Sequence, residues 1–297
     1  MKILITGATG FIGQHLVPAL LEQNHEVAIL TRESYAAGQL LPARLRPLRP
    51  HLQLVYADLR NLTLTIRAVA EAQPEAVIHL AAAGANDPFL AVEPALRHNV
   101  NGTINLARAC FEKNSGVARL IVARTPGEKN NMNVYAASKA AAWNFCQMYA
   151  HTRGWLIYGA MIFQAFGPDQ PQSALIPAAL AAARAGEDFP MTSGEQRKDW
   201  IYVADVAEGL ARLAGVGLDA GITVELGTGH GTRTRDVVQQ IYALVGRGGR
   251  PRPGLLPDRR GEDVAQIADQ ARTQALLNWQ PVYTLSQGLS QLLIEVG

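Results

Sequence analysis

The sequence predicts an α/β fold built on a doubly wound parallel sheet. From the N-terminus, short runs rich in β-branched residues alternate with longer segments of helical periodicity. This alternation is typical of a parallel sheet covered by helices on both faces. The predicted strands span residues 2–6, 26–31, 52–56, 76–80, 119–123 and 155–163. The predicted helices between them span residues 11–23, 64–73, 91–113 and 134–153.

A change in the sequence pattern after Phe166 predicts a smaller second lobe. Glycine and proline there separate shorter elements, with helices expected at 175–185, 205–214 and 234–245 and a loop at 246–263. We therefore assign residues 1–166, with parts of 199–230, to the first domain. The remainder of 167–297 forms a smaller C-terminal α/β lobe.

Composition excludes several classes of protein. The formal net charge of +2 is too small for the dense positive field of a nucleic-acid-binding protein. Only Cys110 and Cys146 are present, and their separation argues against a disulfide framework or a cysteine metal site. The apolar N-terminus is interrupted by glycines and leads into an amphipathic helix, unlike a signal peptide. The sequence predicts a cytoplasmic protein without a metal ion, a membrane span or a nucleic-acid partner.

A glycine pattern follows the first predicted strand directly. Gly7, Gly10 and Gly13 stand in the segment TGATGFIG at a strand-to-helix turn. Backbone amides and the helix N-terminus can hold a pyrophosphate at such a turn, and glycine also serves tight turns without a ligand. The position of the turn favours a dinucleotide-binding (Rossmann) domain. The contacts predicted here are Gly7, Thr9, Gly10, Phe11, Ile12 and Gly13.

The end of the second strand favours NADP(H) as the cofactor. An acidic residue at this point would accept hydrogen bonds from the ribose of NAD, whereas Thr31 and Arg32 stand here. A guanidinium can bind a 2′-phosphate, although a solvated side chain at a strand end is the alternative for Arg32. NAD(H) is the alternative cofactor. Further predicted contacts are Asp58 and Leu59 after the third strand and Leu80, Ala81 and Ala82 after the fourth.

Tyr135 and Lys139 are the strongest candidates for catalysis. Residues four apart on a helix share a face, so both side chains can act on one bound molecule. An unperturbed tyrosine has a pKa of about 10, and a nearby ammonium group lowers it. We therefore expect Lys139 to lower the pKa of Tyr135. Thr125, at the end of the fifth strand, is the third candidate, and Ser138 is the rival hydroxyl.

These motifs together resemble the extended short-chain dehydrogenase/reductase family, especially its nucleotide-sugar epimerases, dehydratases and ketoreductases. The similarity extends over nearly the whole chain. Further segments of this chain that resemble the family are HLAA from His79, NVNGT from Asn99, KDWIYVADV from Lys198, ELGTG from Glu225, RRGED from Arg259 and LNWQP from Leu277.

The resemblance implies roles for individual residues. Tyr135 would be the general acid/base, Lys139 would also hold the nicotinamide ribose, and Thr125 would bind the reacting oxygen. Asn99 would help to position the cofactor or the lysine, unless it only caps a helix. Substrate contacts are expected at Gln164, Lys198, Arg259 and Arg260. Lys198 and one of the two arginines would meet the substrate diphosphate, and either arginine could instead be a solvated loop residue. The family commonly forms homodimers through its fourth and fifth helices.

Departures from the family pattern bear on the reaction. In the 4,6-dehydratases an Asp-Glu pair follows the catalytic threonine, whereas Pro126 and Gly127 follow Thr125 here, and Glu128 is not assumed to replace that pair. Dehydration is therefore disfavoured. We expect NADPH-dependent reduction of a ketone, specifically the 4-keto group of a nucleotide-linked 4-keto-6-deoxyhexose. The alternatives are a nucleotide-sugar 4-epimerase with bound NAD and a ketoreductase of a non-sugar secondary metabolite. An intact Tyr135 and Lys139 pair argues against a non-catalytic dinucleotide sensor.

Overall fold

Strands and helices alternate along most of the chain. The structure, a computed structural model, describes residues 1–32, 41–85, 87, 89–112, 116–258 and 261–296. The strands in these ranges are β1 (Lys2–Thr6), β2 (Glu26–Thr31), β3 (Leu52–Tyr56), β4 (Ala76–His79), β5 (Arg119–Arg124), β6 (Ile157–Ile162), β7 (Gln164–Phe166), β8 (Phe189–Pro190), β9 (Arg197–Tyr202), β10 (Thr223–Leu226), β11 (Gly231–Arg233), β12 (Pro251–Arg252) and β13 (Ala265–Gln266). The helices are α1 (Phe11–Glu22), α2 (Leu62–Ala72), α3 (Val92–Ala95), α4 (Gly102–Phe111), α5 (Val134–Arg153), α6 (Leu175–Ala185), α7 (Val203–Gly215), α8 (Thr234–Val245), α9 (Gln270–Leu277) and α10 (Leu285–Glu295).

A seven-stranded sheet forms the centre of the larger lobe. Its strand order is β10-β6-β5-β4-β1-β2-β3, and every neighbouring pair is parallel. The order reverses at β1, so the crevice at the carboxyl ends of β1 and β4 is the position where such sheets bind ligands. The predicted doubly wound fold is confirmed.

Alternation along β1 shows how the sheet is buried on both faces. Ile3 and Ile5 pack in one core cluster with the buried faces of α1 and α7, whereas Leu4 packs in a second cluster with α2, α4 and α5. All three residues are fully buried. Successive side chains of a strand point to opposite faces, so an unbroken apolar run is what a sheet covered on both sides requires.

One strand of the large sheet was missed by the sequence prediction, and one helix that was expected to be continuous is divided. The strand β10 is a seventh member of the sheet and was not predicted, because it is short and its apolar residues alternate with Thr223 and Glu225. The helix expected at 91–113 is divided, with a π-helical segment at Leu96–Asn101 between α3 and α4. Single π-helical turns within α-helices occur often at functional sites.

A second sheet contains β7, β9, β11 and β13. Strand β9 lies between β11 and β13 and also pairs with β7, which follows β6 almost directly. Helices α6, α8 and α10 share a core with Phe166 and Trp200. The loop expected at 246–263 contains the two-residue strand β12, which pairs with β8. This arrangement places β7 and β9 opposite the ends of β5 and β6.

Within the described ranges, no helix has both the length and the apolar character needed to cross a membrane.

Candidate active site

The glycine turn after β1 has a backbone that only glycine can adopt without strain. Gly7 has φ of +76°, and a Cβ atom there would lie 2.5 Å from the backbone nitrogen of Ala81. A Cβ atom on Gly13 would overlap the carbonyl of Gly7. Helix α1 begins after Gly10, with neither a capping side chain nor an acidic residue in its described first turn. Its N-terminal amides are therefore available to an anionic group.

The turn opens into a cleft of about 480 Å³. Of the predicted cofactor contacts, the cleft is lined by Gly7, Thr9, Gly10, Thr31, Arg32, Asp58, Leu59, Leu80, Ala81 and Ala82. Phe11, Ile12, Gly13, Asn99, Tyr135 and Lys139 are not among its lining residues. The hydroxyl of Thr31 is buried in this wall without a hydrogen-bond partner in the described chain. The glycine turn, the uncapped helix and this hydroxyl fit a dinucleotide.

Asp58 is already bound by a neighbouring arginine. Arg60 donates to both carboxylate oxygens at 2.5–3.0 Å, and this bonding lowers the pKa of Asp58 to about 2. Arg60 therefore competes with the cofactor for the carboxylate of Asp58. Sequence reasoning missed Arg60, although an arginine two residues after the aspartate was a visible signal.

A chain of hydrogen bonds runs behind the cleft through His79. The Thr103 hydroxyl donates to the Asn99 carbonyl at 2.6 Å, so it must accept from His79 Nε2 at 2.9 Å. His79 Nδ1 is then the acceptor for the Thr6 hydroxyl at 2.6 Å. Burial, with a smaller effect of Lys139, lowers the pKa of His79 to about 3. His79, the last residue of β4, is thus a neutral histidine with a structural role.

Asn99 links this chain to the helix that carries the tyrosine. Its Oδ1 accepts from the nitrogen of Ala83 at 2.7 Å, and its Nδ2 donates to the Ala83 carbonyl and to Ser138 Oγ, both at 2.9 Å. Ser138 in turn donates to the Tyr135 carbonyl at 2.7 Å. Asn99 is fully buried. It can therefore position α5, and it does not cap a helix.

A second, smaller pocket of about 130 Å³ lies at the ends of β5 and β6. It brings together four predicted residues: Thr125, Tyr135, Gln164 and Lys198. They come from four separate parts of the chain, namely the end of β5, the start of α5, β7 and β9. The tyrosine and the threonine proposed to meet one substrate oxygen thus line a single pocket.

The pKa of Tyr135 is shifted in the direction opposite to the expected one. Burial, with a smaller effect of Glu128, raises its pKa to about 12, and Lys139 is not among the causes. The predicted lowering is therefore wrong for the protein described here. Lys139 is itself buried, which lowers its pKa, while Glu128 acts in the opposite direction. At neutral pH the tyrosine is protonated and can donate a proton.

Glu128 does not face this pocket. Its side chain is only 1% exposed, its Oε2 lies 2.7 Å from Arg124 Nη2, and its Oε1 accepts from the nitrogen of Thr125 at 2.9 Å. Sequence reasoning missed this pairing, although an arginine four residues before the glutamate offered a signal. Both oxygens of Glu128 are therefore engaged by other groups of the protein.

The two charged residues that line the described pocket are also paired. Lys198 lies 2.7 Å from Glu262, so the lysine expected at a diphosphate already has a carboxylate partner. Asp199 is fully buried and accepts from Thr228, Gly229 and Ala268. Arg259 and Arg260, the other predicted diphosphate ligands, lie outside the described residues.

Among the described residues, no group of three or more histidine, cysteine, aspartate or glutamate side chains is arranged to hold a metal ion.

Comparison with known proteins agrees with this architecture. Residues 3–222 match the sequence profile of the NAD dependent epimerase/dehydratase family. A dTDP-glucose 4,6-dehydratase of Xanthomonas campestris pv. campestris is 29% identical, with 97% of this chain and 91% of that protein aligned. A UDP-glucose 4-epimerase of Mycolicibacterium smegmatis is 28% identical over 98% of this chain and 97% of that protein.

Solved structures show the same similarity. The UDP-glucose 4-epimerase of Thermus thermophilus, crystallised in complex with NAD, superposes with a TM-score of 0.82 at 26% identity. The superposition covers 99% of this chain and 98% of that structure. The family profile matches more than half of the chain, and the relatives align over almost their full length. This chain belongs to the NAD dependent epimerase/dehydratase family.

Proposed function

We propose that the protein reduces the keto group of a nucleotide-linked sugar with NADPH, specifically a 4-keto-6-deoxyhexose. Residues 1–166, with parts of 199–230, would hold the dinucleotide, and the rest of 167–297 would hold the substrate. One observation carries the choice of reaction. Among the described residues, the small pocket that contains Tyr135 has no carboxylate with an unengaged oxygen.

This lack of a free carboxylate argues against elimination. Asp199 is the acidic residue that lines the described pocket, and it is fully buried with four hydrogen bonds to its two oxygens. Glu128 is turned away toward Arg124. A dehydratase needs an acid and a base to remove water from the sugar, whereas carbonyl reduction needs one proton donor. Tyr135 and Thr125 are sufficient for reduction.

The residues of the pocket suit this step. Tyr135 is protonated at neutral pH, so its hydroxyl can donate a proton to the oxygen of the substrate. Thr125 supplies a second hydroxyl that can stabilise the negative charge developing on that oxygen. A bound nicotinamide would supply the hydride. The protein's contribution is to orient the carbonyl and to provide these two donors.

The preference for NADP(H) rests on the adenosine end of the cleft. Arg32 is exposed there beside Arg60, and the carboxylate of Asp58 is held by Arg60. A 2′-phosphate would meet two guanidinium groups. The Thermus thermophilus relative was crystallised with NAD, so NAD(H) is the alternative that the experiment must address.

A nucleotide-sugar 4-epimerase is the second candidate. Two epimerases are among the similar proteins described above, and epimerisation through a keto intermediate requires the same minimal pair of hydroxyl donors. The two candidates differ in stoichiometry. A reductase consumes one NADPH per turnover, whereas an epimerase keeps NAD bound and consumes none.

A substrate panel separates these possibilities. Purified protein is mixed with NADPH and with GDP-, CDP-, dTDP- or UDP-linked 4-keto-6-deoxy sugars, and NADPH oxidation is followed by absorbance. We expect turnover with at least one sugar and a loss of about 10²–10⁴-fold in kcat for Tyr135→Phe. Tyr149→Phe, on the same helix, is the matched control. Full activity of Tyr135→Phe, or tightly bound NAD with no NADPH consumed, would overturn the proposal.

A further inference from the structure

A buried ion pair lies behind the catalytic pocket. Glu128 belongs to the short 3₁₀ turn Pro126–Lys129, and Arg124 is the last residue of β5. Arg124 Nε and Nη2 lie 2.8 and 2.7 Å from the same oxygen of Glu128. The two side chains are 14% and 1% exposed. Burial of such a pair is costly unless other hydrogen bonds complete it.

Residues of β10 and α5 supply those additional contacts to Arg124. Its Nη1 donates to the Thr223 hydroxyl of β10 at 2.9 Å, and its guanidinium lies 4.5 Å from the ring centre of Trp143. The side chain crosses β6 at Gly159, where a Cβ atom would lie 2.9 Å from Arg124 Cδ and 2.5 Å from Thr223 Oγ1. The absence of a side chain at Gly159 therefore makes room for the arginine.

The second oxygen of Glu128 reaches the catalytic residues. Oε1 accepts from the nitrogen of Thr125 at 2.9 Å, and the nitrogen of Glu128 donates to the Thr125 carbonyl at 3.1 Å. The side chain and the backbone of Glu128 thus each make one hydrogen bond to the backbone of Thr125, and together they close the turn. A shift of about 1 Å in a catalytic group can lower a rate about 100-fold, so this restraint matters for the proposed reaction.

The charge of Glu128 also acts on the tyrosine and the lysine. It raises the pKa of Tyr135 and opposes the lowering of the Lys139 pKa by burial. Cys146 also raises the pKa of Lys139, and Arg124 lowers it by a smaller effect. His79, on which the charge of Lys139 acts, is neutral at pH 7. The Glu128 carboxylate therefore acts on both Tyr135 and Lys139, after the larger effect of burial.

We propose that Glu128 and Arg124 form a positioning unit, in which the carboxylate fixes the backbone of Thr125 and places a negative charge behind Tyr135 and Lys139. The inference rests on the proposed function, because it assigns these residues to the same site. Neither residue is proposed to touch the substrate. Their position behind the pocket distinguishes them from the acid pair that follows the threonine in the dehydratases.

Two variants separate the charge of Glu128 from its geometry. Glu128→Gln keeps the length of the side chain and one acceptor oxygen but removes the charge. Glu128→Asp keeps the charge but is shorter by one methylene, so it cannot reach both Thr125 and Arg124. Glu112→Gln, which changes a carboxylate paired with Arg108 and Arg153 at the end of α4, is the matched control.

The pH dependence of kcat for ketone reduction distinguishes the variants. Reduction requires protonated Tyr135, so loss of the negative charge should move the alkaline limb of Glu128→Gln to lower pH by about one unit. Glu128→Asp should keep that limb and lose about 10–100-fold in kcat, with the KM of NADPH within about twofold. Equal losses in both variants with no movement of the limb would indicate a merely structural role and overturn the proposal. Activity of both variants within about twofold of the unmodified protein would also overturn it.

A measurement without turnover keeps this test separate from the proposed function. Tyrosine labelled with ¹³C at Cζ reports the ionisation of the phenol by NMR, and the Tyr135→Phe spectrum identifies the signal. We expect a lower ionisation midpoint for Tyr135 in Glu128→Gln, but not in Glu112→Gln. If no sugar nucleotide is reduced, the proposed reaction fails while this titration still decides the electrostatic role. An unchanged midpoint in a folded Glu128→Gln protein would refute that role.

Discussion

The side-chain nitrogen of Asn99 lies 2.9 Å from Ser138 Oγ and joins the π-helical segment to helix α5, which carries Tyr135. The same amide binds both the nitrogen and the carbonyl of Ala83, in the loop after β4. One fully buried side chain thereby connects the wall of the dinucleotide cleft with the backbone of Tyr135. Asn99 belongs to the π-helical segment Leu96–Asn101.

We expect Asn99→Leu to destabilise the protein strongly. Leucine has a similar size but leaves the backbone groups of Ala83 without their partner, and each unsatisfied buried group costs about 1–3 kcal/mol. The expected fall in the free energy of unfolding is about 3 kcal/mol, measured by urea denaturation. Asn101→Leu changes an exposed asparagine of the same segment and should cost less than about 0.5 kcal/mol. Equal effects of the two changes would contradict this account.

His79 should make the stability of the protein depend on pH. Burial lowers its pKa from 6.5 to about 3, so the unfolded chain binds the extra proton between these values. The contribution of neutral His79 to the free energy of unfolding is complete above pH 6.5. It is lost as the pH falls, by up to about 1.4 kcal/mol per pH unit. Between pH 7.5 and 5 the expected loss is about 2 kcal/mol.

Replacement of His79 by glutamine tests this dependence. Glutamine offers a donor and an acceptor to Thr103 and Thr6 but does not titrate. Urea denaturation at several pH values should show a flatter stability profile for His79→Gln than for the unmodified protein. Identical slopes in the two proteins would show that His79 does not cause the dependence.

The parts of the molecule that local sequence determines were predictable. Short apolar runs identified the first six strands, and the glycine turn identified the cleft, because strands buried on both faces and left-handed turns restrict residue type directly. The strand β10 was missed since its burial comes from pairing with β6, far away in sequence. The raised pKa of Tyr135 was also missed, because it depends on burial and on Glu128, whose position depends on Arg124 and on the space at Gly159.

Arg32 should determine the choice between the two cofactors. Arg32→Ser removes a guanidinium from the adenosine end of the cleft, and charge-assisted hydrogen bonds contribute about 1.5–3 kcal/mol. We expect the Kd of NADPH to rise about 10–100-fold, with little change for NADH, as measured by fluorescence titration. Arg67→Ser, which alters an exposed arginine of α2 outside the cleft, is the control. An equal loss for both cofactors in Arg32→Ser would argue against recognition of a 2′-phosphate.

Exposed apolar side chains on α3, on the π-helical segment and on α5 predict self-association. Phe145 and Met148 are 45% and 40% exposed and lie three residues apart on α5, so they share a face. Val92 and Leu96 are 59% and 47% exposed, and their segment packs against α5. Exposed apolar residues on segments that pack together are typical of an interface between proteins, and these four residues define the candidate surface. We expect a homodimer in which α5 packs against the same helix of a second copy.

A charge at the centre of this surface should separate the two copies. In a two-fold interface Phe145 contacts the symmetry-related surface, so Phe145→Glu places two carboxylates in one apolar contact. Buried charges without a partner cost several kcal/mol, and we expect dissociation to monomers by analytical ultracentrifugation. Ile294→Glu changes a residue that is 75% exposed on α10, outside the surface, and should leave the dimer intact. A monomeric parent protein at micromolar concentration, or a Phe145→Glu dimer of unchanged affinity, would exclude this interface. Because the proposed catalytic residues of each copy lie within one chain, the monomer should retain ketone reduction if it remains folded.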